Sequence, residues 1–204
     1  MELVKIADIG TYKGETAYIE TEDGEKYFVH QSMIYEFHLK KGMEIPPSAL
    51  EEVLHENLYR KAKERALYLL DKREYGYAEL FRKLEENYDE DICYRVCNKL
   101  AELHLIDDRR YAARLAEFYS CTKKFGKYRA KQEIMRRGIS SSLAEEALAE
   151  YEDGAVERLR EVVERKYERY LTDRKGAEKV KAALVRQGYS FSDIKEVLSD
   201  YEFD

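Results

Sequence analysis

Apolar positions recur with a helical period from about residue 58 to the end of the chain. Large apolar residues stand three or four positions apart in three blocks, as they do on one face of a helix. We assign them to the core and not to a site: Leu80, Leu84, Ile92, Val96 and Leu100; Ile134, Leu143, Ala147, Leu148 and Tyr151; Ile194, Val197, Leu198 and Tyr201. The pattern predicts stacked amphipathic helices.

The three blocks are copies of one three-helix unit, because three glycines lie at intervals of fifty residues: Gly76, Gly126 and Gly176. The predicted helices span about 58–73, 77–87 and 89–103, then 109–124, 127–137 and 140–151, then 155–174, 177–187 and 190–201. We expect each glycine to be the N-cap of a middle helix. A left-handed residue should end that helix: Gly138, Gly188 and, in the first copy, Asn87. Side-chain acceptors should start the third helices: Asp89, Ser140 and Ser190.

The first 45 residues have a different pattern, rich in β-branched and aromatic residues. Asp23-Gly24 between two such runs predicts a β-hairpin. A short helix should follow from Ser32 to Leu39 and end at Gly42. Ser48 with Glu51 forms a capping box, which predicts a helix from near Ala49 that runs, with a break, towards Lys72.

These elements define a mainly α fold, with tandem three-helix repeats in an elongated, curved array and a small β-rich N-terminal element. We predict an N-terminal hairpin element with a short helix (1–47), a linker helix with repeat one (48–107), repeat two (108–153) and repeat three (154–204). One such repeat cannot bury its apolar face alone, so neighbours form the core and expose an extended surface. This favours a binding protein over an enzyme.

Composition agrees with this interpretation, since 38% of the residues are charged and 44% are hydrophobic. No segment approaches the roughly eighteen apolar residues of a membrane span. The first residues, MELVKIADIG, lack the pattern of a signal peptide. The odd number of cysteines, three, fits a reducing compartment. We therefore expect a cytoplasmic protein.

Catalytic chemistry has no recognisable residue pattern in this chain. The four histidines stand in no metal-binding spacing, and no phosphate loop or nucleophile elbow is present. Cys93 and Cys97 fit buried apolar positions better than half of a metal site. Asp107 and Asp108 precede a helix, where carboxylates cap amides. We expect no catalytic residue, no metal and no cofactor.

The charge distribution is the more informative signal. Residues 1–57 carry twelve acidic and five basic side chains, whereas residues 108–153 carry eight acidic and ten basic ones. Within repeat two the run Lys123–Arg137 holds one acid, Glu133, and seven cations: Lys123, Lys124, Lys127, Arg129, Lys131, Arg136 and Arg137. It is either a solvated face with helix-end cations or a patch for phosphates or an acidic partner.

Two sequence motifs lie within the repeats. The first is an apolar residue, two acids, two variable residues, an aromatic and alanine: Ile106, Asp107, Asp108, Arg109, Arg110, Tyr111 and Ala112. The second is a glycine, basic residues and a closing Arg-Gly-Ile: Gly126, Arg129, Arg137, Gly138 and Ile139. The two motifs resemble those of the RecX family of bacterial recombination regulators, and their order within three repeats makes the resemblance specific. We expect the residues of the two motifs to be mainly structural.

The resemblance implies a role in recombination, DNA repair and the SOS response. Such a protein would bind the RecA recombinase or the RecA–DNA filament and inhibit its ATPase, strand-exchange and co-protease activities, with the basic run facing the filament. It would act as a monomer, without a membrane, and bind DNA alone only weakly. The alternatives are an independent nucleic-acid-binding module or a generic helical-repeat scaffold.

Overall fold

The computed structural model describes residues 3–201, so the last three residues of the predicted third repeat lie outside it. One compact unit comprises Met1–Arg73 and Lys83–Lys99, and the second comprises Glu74–Arg82 and Leu100–Asp204. The mainly α class with a small N-terminal sheet is confirmed. The curved outline and the division into four parts stay predictions.

A four-stranded antiparallel sheet forms the N-terminal element, in the order β3-β2-β1-β4. Its strands are β1 (Val4–Lys13), β2 (Thr16–Thr21), β3 (Lys26–His30) and β4 (Glu44–Ile45). The hairpin at Asp23-Gly24 is confirmed, because it joins β2 to β3 with Gly24 at φ 87°. A second turn at Gly14, with φ 55°, joins β1 to β2.

Helix α1 (Gln31–Glu36) is shorter than the prediction. The His30 side chain caps it by accepting a hydrogen bond from the Ser32 amide. The predicted stop at Gly42 is wrong: the helix ends at Glu36, and His38 follows with φ 53°. Gly42 instead lies in the turn before β4, where its amide donates to the Ile6 carbonyl at 2.8 Å.

Helix α2 (Pro47–Lys72) runs without the predicted break. The predicted capping box of Ser48 is wrong, because Pro46 is the N-cap and no side chain bonds the first amides. Proline at the first helical position has its φ preset and carries no amide that needs a partner. Asn57, 3% exposed, accepts the His30 amide at 2.9 Å and thereby holds the β3–α1 corner against α2.

Within the described residues, eight further helices follow: α3 (Tyr77–Glu85), α4 (Glu90–Glu102), α5 (Asp108–Glu117), α6 (Lys127–Arg136), α7 (Ser141–Ala149), α8 (Ala155–Lys166), α9 (Arg174–Arg186) and α10 (Phe191–Leu198). The first helices of repeats two and three are shorter than the prediction. A π-helical turn at Phe118–Thr122 continues α5, and a 3₁₀ turn at Glu168–Tyr170 follows α8.

Four of the helix ends predicted in the second and third repeats are confirmed. Ser140 and Ser190 cap α7 and α10, and Gly138 and Gly188 have φ 92° and 88° after α6 and α9. The prediction for Asn87 is wrong: among residues 3–201, the non-glycine residues at positive φ are His38, His104 and Lys124.

The N-cap prediction holds for one of the three glycines and fails for another. Gly126 is the N-cap of α6, with φ −69° and ψ 160°. Gly176 instead lies inside α9, and Asp173 is the cap, since its carboxylate accepts the Gly176 amide at 2.6 Å. A carboxylate satisfies that amide, which a glycine cap cannot do.

The predicted core positions are buried or half-buried. Leu80, Leu84, Ile92, Val96 and Leu100 are each at most 1% exposed, and Ile134, Leu148, Ile194, Val197 and Leu198 belong to the two buried clusters of repeats two and three. Leu143, Ala147, Tyr151 and Tyr201 pack at the margins of these clusters. Cys93 and Cys97 are buried, and burial raises the pKa of the Cys97 thiol to about 12.

Candidate functional site

The junction of the second and third repeats is a close backbone contact. The Gly126 amide donates to the Gln187 carbonyl at 2.9 Å, and the Tyr128 amide donates to the Gly188 carbonyl at 3.2 Å. A Cβ on Gly126 would overlap the Gly188 carbonyl group. The start of α6 therefore docks on the end of α9, and only glycine allows this approach.

The start of α3 docks on the second repeat in a similar way. Asp108 accepts the Tyr77 amide at 2.7 Å, and a Cβ on Gly138 would come within 2.7 Å of the Ala78 Cβ. Glu79 accepts hydrogen bonds from the Tyr111 hydroxyl and from Arg137, both at 2.8 Å. The carboxylate raises the pKa of the Arg137 guanidinium.

The two sequence motifs thus supply the junctions and the helix caps. Asp107 caps α5 by accepting the Arg110 amide at 3.0 Å, and this bond lowers the pKa of its carboxyl. Ala112 is buried beside Tyr111 in the core of repeat two.

The seven cations of the basic run are placed together around α6, but most of them have acidic neighbours. Lys124 pairs with Glu161, Lys127 with Glu152, Lys131 with Glu145, and Arg137 with Glu79; Arg129 and Arg136 lie 3.8 and 3.2 Å from Glu133. Lys123 lies over the Phe118 ring at 5.3 Å, and Arg129 over the Phe125 ring at 4.1 Å.

This pairing weakens the positive potential of the run, because six of its seven cations lie within 4 Å of five carboxylates. Four of those acids lie outside the run, so the sequence of the run alone does not show them. Exposed ion pairs contribute only about 0–1 kcal/mol each to stability, so the acidic groups of a partner can replace the intramolecular carboxylates at little cost. Arg136, whose side chain is 71% exposed, is the cation best placed for such a contact.

The backbone before α6 is irregular where the run begins. Lys124 has a backbone φ of 50°, which is uncommon for a residue other than glycine. The Tyr189 hydroxyl donates to its carbonyl at 2.8 Å, which holds the segment against the third repeat. No sequence pattern predicts this irregularity or the π-helical turn that precedes it.

Of the basic residues in the neighbouring repeats, only some lie next to the basic run. Arg82 lies beside it, with its guanidinium 3.5 Å from the Arg136 carbonyl. Lys179 and Lys181 line two different grooves of the third repeat. They therefore do not form one row with each other.

Within residues 3–201 no group of three or more His, Cys, Asp or Glu side chains is arranged to hold a metal ion. In the same part of the chain, none of the helices has the length and apolar character needed to cross a membrane.

The fold and its junctions define a class: a tandem array of three-helix domains whose motif residues bind one domain to the next. Family models match all three domains, described as the first, second and third three-helix domains of RecX, at residues 62–100, 107–148 and 152–198.

Relatives of similar length carry the same name. The Regulatory protein RecX of Clostridioides difficile is 31% identical over 180 residues, covering 86% of this chain and 85% of that protein. That of Clostridium acetobutylicum is 32% identical over 193 residues, covering 90% and 87%. The chain belongs to the RecX family.

Solved structures agree. A crystal structure of regulatory protein RecX superposes with a TM-score of 0.76 at 25% identity, covering 97% of this chain and 99% of that one. RecX from Lactobacillus salivarius gives 0.65 at 28% identity, covering 70% and 96%.

Proposed function

We propose that this chain is a non-enzymatic regulator that binds the RecA recombinase or the RecA–DNA filament and inhibits its ATPase, strand-exchange and co-protease activities. The observation that carries the proposal is its membership of a family of regulatory proteins along most of its length. We place it in the cytoplasm, as a monomer, with the four-part organisation stated above.

The mechanism we propose is mechanical and not chemical. The second and third three-helix domains, joined by backbone hydrogen bonds, present a surface that can bridge neighbouring protomers of a filament. A ligand that binds one state of an assembly better than another shifts its population, so bridging alone can change filament growth.

The basic run is our candidate contact surface on that array. Its cations lie on and around α6 and are partly or fully exposed. Their acidic neighbours are Glu79 on α3, Glu133 in the run itself, Glu145 on α7, Glu152 in the turn after α7 and Glu161 on α8. We propose that acidic groups or phosphates of the filament replace some of these intramolecular acids. Since the net charge of the surface is modest, the contact should be specific in geometry and sensitive to salt.

The experiment measures RecA ATP hydrolysis and strand exchange with increasing amounts of the chain, together with co-sedimentation of the chain with filaments. We expect both activities to fall as the chain binds. If neither activity changes and no chain sediments with filaments, the proposal is wrong.

Charge reversal tests the surface. Lys127→Glu, Arg129→Glu and Lys131→Glu together should weaken co-sedimentation while circular dichroism shows unchanged helicity. The matched control reverses three cations of α2, as Lys61→Glu, Arg65→Glu and Lys72→Glu, for the same change in net charge. Equal binding by both triple variants and the original chain would show that the run is a solvated helix face and not a contact surface.

A further inference from the structure

The third repeat contains a second basic surface that differs from the run around α6. A cavity of about 440 Å³ lies between the 3₁₀ turn and the first turns of α9. Its lining includes three cations, Arg169, Lys175 and Lys179, and two tyrosines, Tyr167 and Tyr170. The volume falls in the range of ordinary ligand sites, about 300–1,000 Å³.

The three cations of this cavity form no ion pair within the described part of the chain. Among residues 3–201, no carboxylate lies within 4 Å of the charged groups of Arg169, Lys175 or Lys179. The one acid in the lining is Asp173, whose Oδ1 accepts the Gly176 amide as the cap of α9. With one carboxylate for three cations, the cavity keeps a net positive charge.

The geometry of the cations suits a phosphate. Lys175 and Lys179 stand four residues apart on α9, so their side chains lie on one face of the helix. Two ammonium groups at that spacing can contact one phosphate or two consecutive ones.

The aromatic part of the cavity suits a flat base. The Tyr170 side chain is about half exposed, and the Arg169 guanidinium lies 4.7 Å from its ring centre and donates to its hydroxyl at 2.7 Å. Stacked tyrosine and guanidinium planes are the platforms on which single-stranded bases rest. Tyr167 is fixed in the wall, since its hydroxyl accepts a hydrogen bond from Gln187 at 2.6 Å.

The walls of the cavity are built by a close approach. A Cβ on Gly176 would overlap the Tyr170 carbonyl oxygen, so glycine allows the 3₁₀ turn to lie against α9. This contact places Tyr170 and Arg169 beside the two lysines and fixes the distance between the aromatic platform and the cations.

We propose that this cavity binds a nucleotide unit of single-stranded nucleic acid, with the phosphate between Lys175 and Lys179 and the base on Tyr170 and Arg169. A strand is favoured over a free nucleotide because three cations, Arg165, Lys166 and Arg169, line an adjoining depression together with two acids, Glu164 and Glu168. The net charge there is positive, so a backbone that leaves the cavity would meet further cations. The site is independent of RecA binding and stands if that proposal fails.

The test titrates a short fluorescein-labelled oligothymidylate with the purified full chain and follows anisotropy at several salt concentrations. The double variant Lys175→Gln with Lys179→Gln should bind about 20-fold more weakly at ~0.1 M salt, since each lost phosphate contact lowers the salt slope by about 0.7. The matched control, Arg174→Gln with Lys181→Gln, removes the same charge from the same helix but from a different groove. It should change binding less than about threefold.

The tyrosine variants test the base platform. Tyr170→Leu should weaken binding about tenfold without changing the salt slope, whereas Tyr170→Phe should bind almost as well as the original chain. Thermal unfolding of each variant confirms that the fold is retained. Equal losses in the two double variants would show general charge attraction and overturn the site. Displacement of the strand by ATP at an equal nucleotide concentration, or by polyglutamate at an equal charge concentration, would overturn the assignment to a strand.

Discussion

The second and third repeats share one plan, but the starts of their middle helices have different surroundings. Gly126 at the start of α6 lies against the carbonyl of Gly188, so the start of α6 packs on the third repeat. Gly176 in the first turn of α9 lies against the carbonyl of Tyr170, so the start of α9 packs on the 3₁₀ turn of its own repeat.

The second and third repeats also differ in how far their cations are paired with carboxylates. Around α6 the cations pair with carboxylates on α7, on α8 and in the turn between them, whereas three cations share the cavity beside α9 with one carboxylate, Asp173. A smaller cavity of about 270 Å³ at the start of α6 is lined by Lys127 and Arg158 but also by Glu152 and Asp193. A run of basic residues in the sequence therefore does not by itself form a basic surface.

Replacement of the junction glycine should have the largest effect. Gly126→Ala forces a Cβ into backbone atoms of the third repeat, so the two hydrogen bonds of the junction must lengthen or break. We expect a loss of about 3 kcal/mol in the free energy of unfolding, measured by urea denaturation.

Gly76→Ala is the matched control for this substitution. The three atoms nearest to its added Cβ belong to side chains and not to backbone, with Asp108 at 2.9 Å and Tyr111 at 3.0 Å. A loss in Gly76→Ala as large as that in Gly126→Ala would contradict the importance of the backbone contact.

The corresponding change in the third repeat should be milder. Gly176→Ala displaces the Tyr170 carbonyl, but the 3₁₀ turn is short and can move away without separating two repeats. We expect a loss of about 2 kcal/mol. Limited proteolysis should show cleavage near Tyr170 and not between the repeats. A larger loss of unfolding free energy than in Gly126→Ala would show that the contact within the third repeat matters more than the junction between repeats.

Much of the fold could be predicted from local sequence signals. Ser140 and Ser190 cap helices through an amide three residues away, and Gly138 and Gly188 end helices through their own conformation. Predictions failed where a choice between two local signals decided the structure. Pro46 and Pro47 started α2 in place of the Ser48 capping box, and Asp173 capped α9 in place of Gly176.

The candidate sites could be predicted only in part. The basic run was visible in the sequence, but Glu145 and Glu161 lie 14 and 37 residues from their lysine partners, so their pairing depends on how the helices pack. The cavity beside α9 had a weak local sign, two lysines four residues apart. Its other half comes from a 3₁₀ turn that the helical period concealed.

Helix caps should show where the two repeats remain alike. Asp107→Ala in α5 and Asp173→Ala in α9 each remove a carboxylate that accepts a backbone amide, so each should lower the free energy of unfolding by about 1 kcal/mol. A marked difference between them would mean that the third repeat contributes little to cooperative unfolding.

The cap of α5 also has a defined pH dependence. Because the Arg110 amide lowers the pKa of the Asp107 carboxyl in the folded state, its contribution is complete above the unfolded pKa of about 3.9 and is lost as the pH falls through the folded value. Asp107→Asn should cap as well and show no such loss. The variant and the original chain, unfolded in urea at neutral and at acid pH, provide the measurement.

The smallest effect on stability should come from removing the acidic neighbours in the second repeat. Glu145→Gln with Glu152→Gln leaves Lys131 and Lys127 without their carboxylates, and exposed pairs of this kind contribute less than about 1 kcal/mol each. The free energy of unfolding should therefore hardly change. The affinity for the labelled oligothymidylate should instead rise several-fold and become steeper in salt, because two cations gain access to phosphates. Unchanged affinity would show that pairing with carboxylates is not what distinguishes the two repeats, and that the aromatic platform beside α9 is the deciding difference.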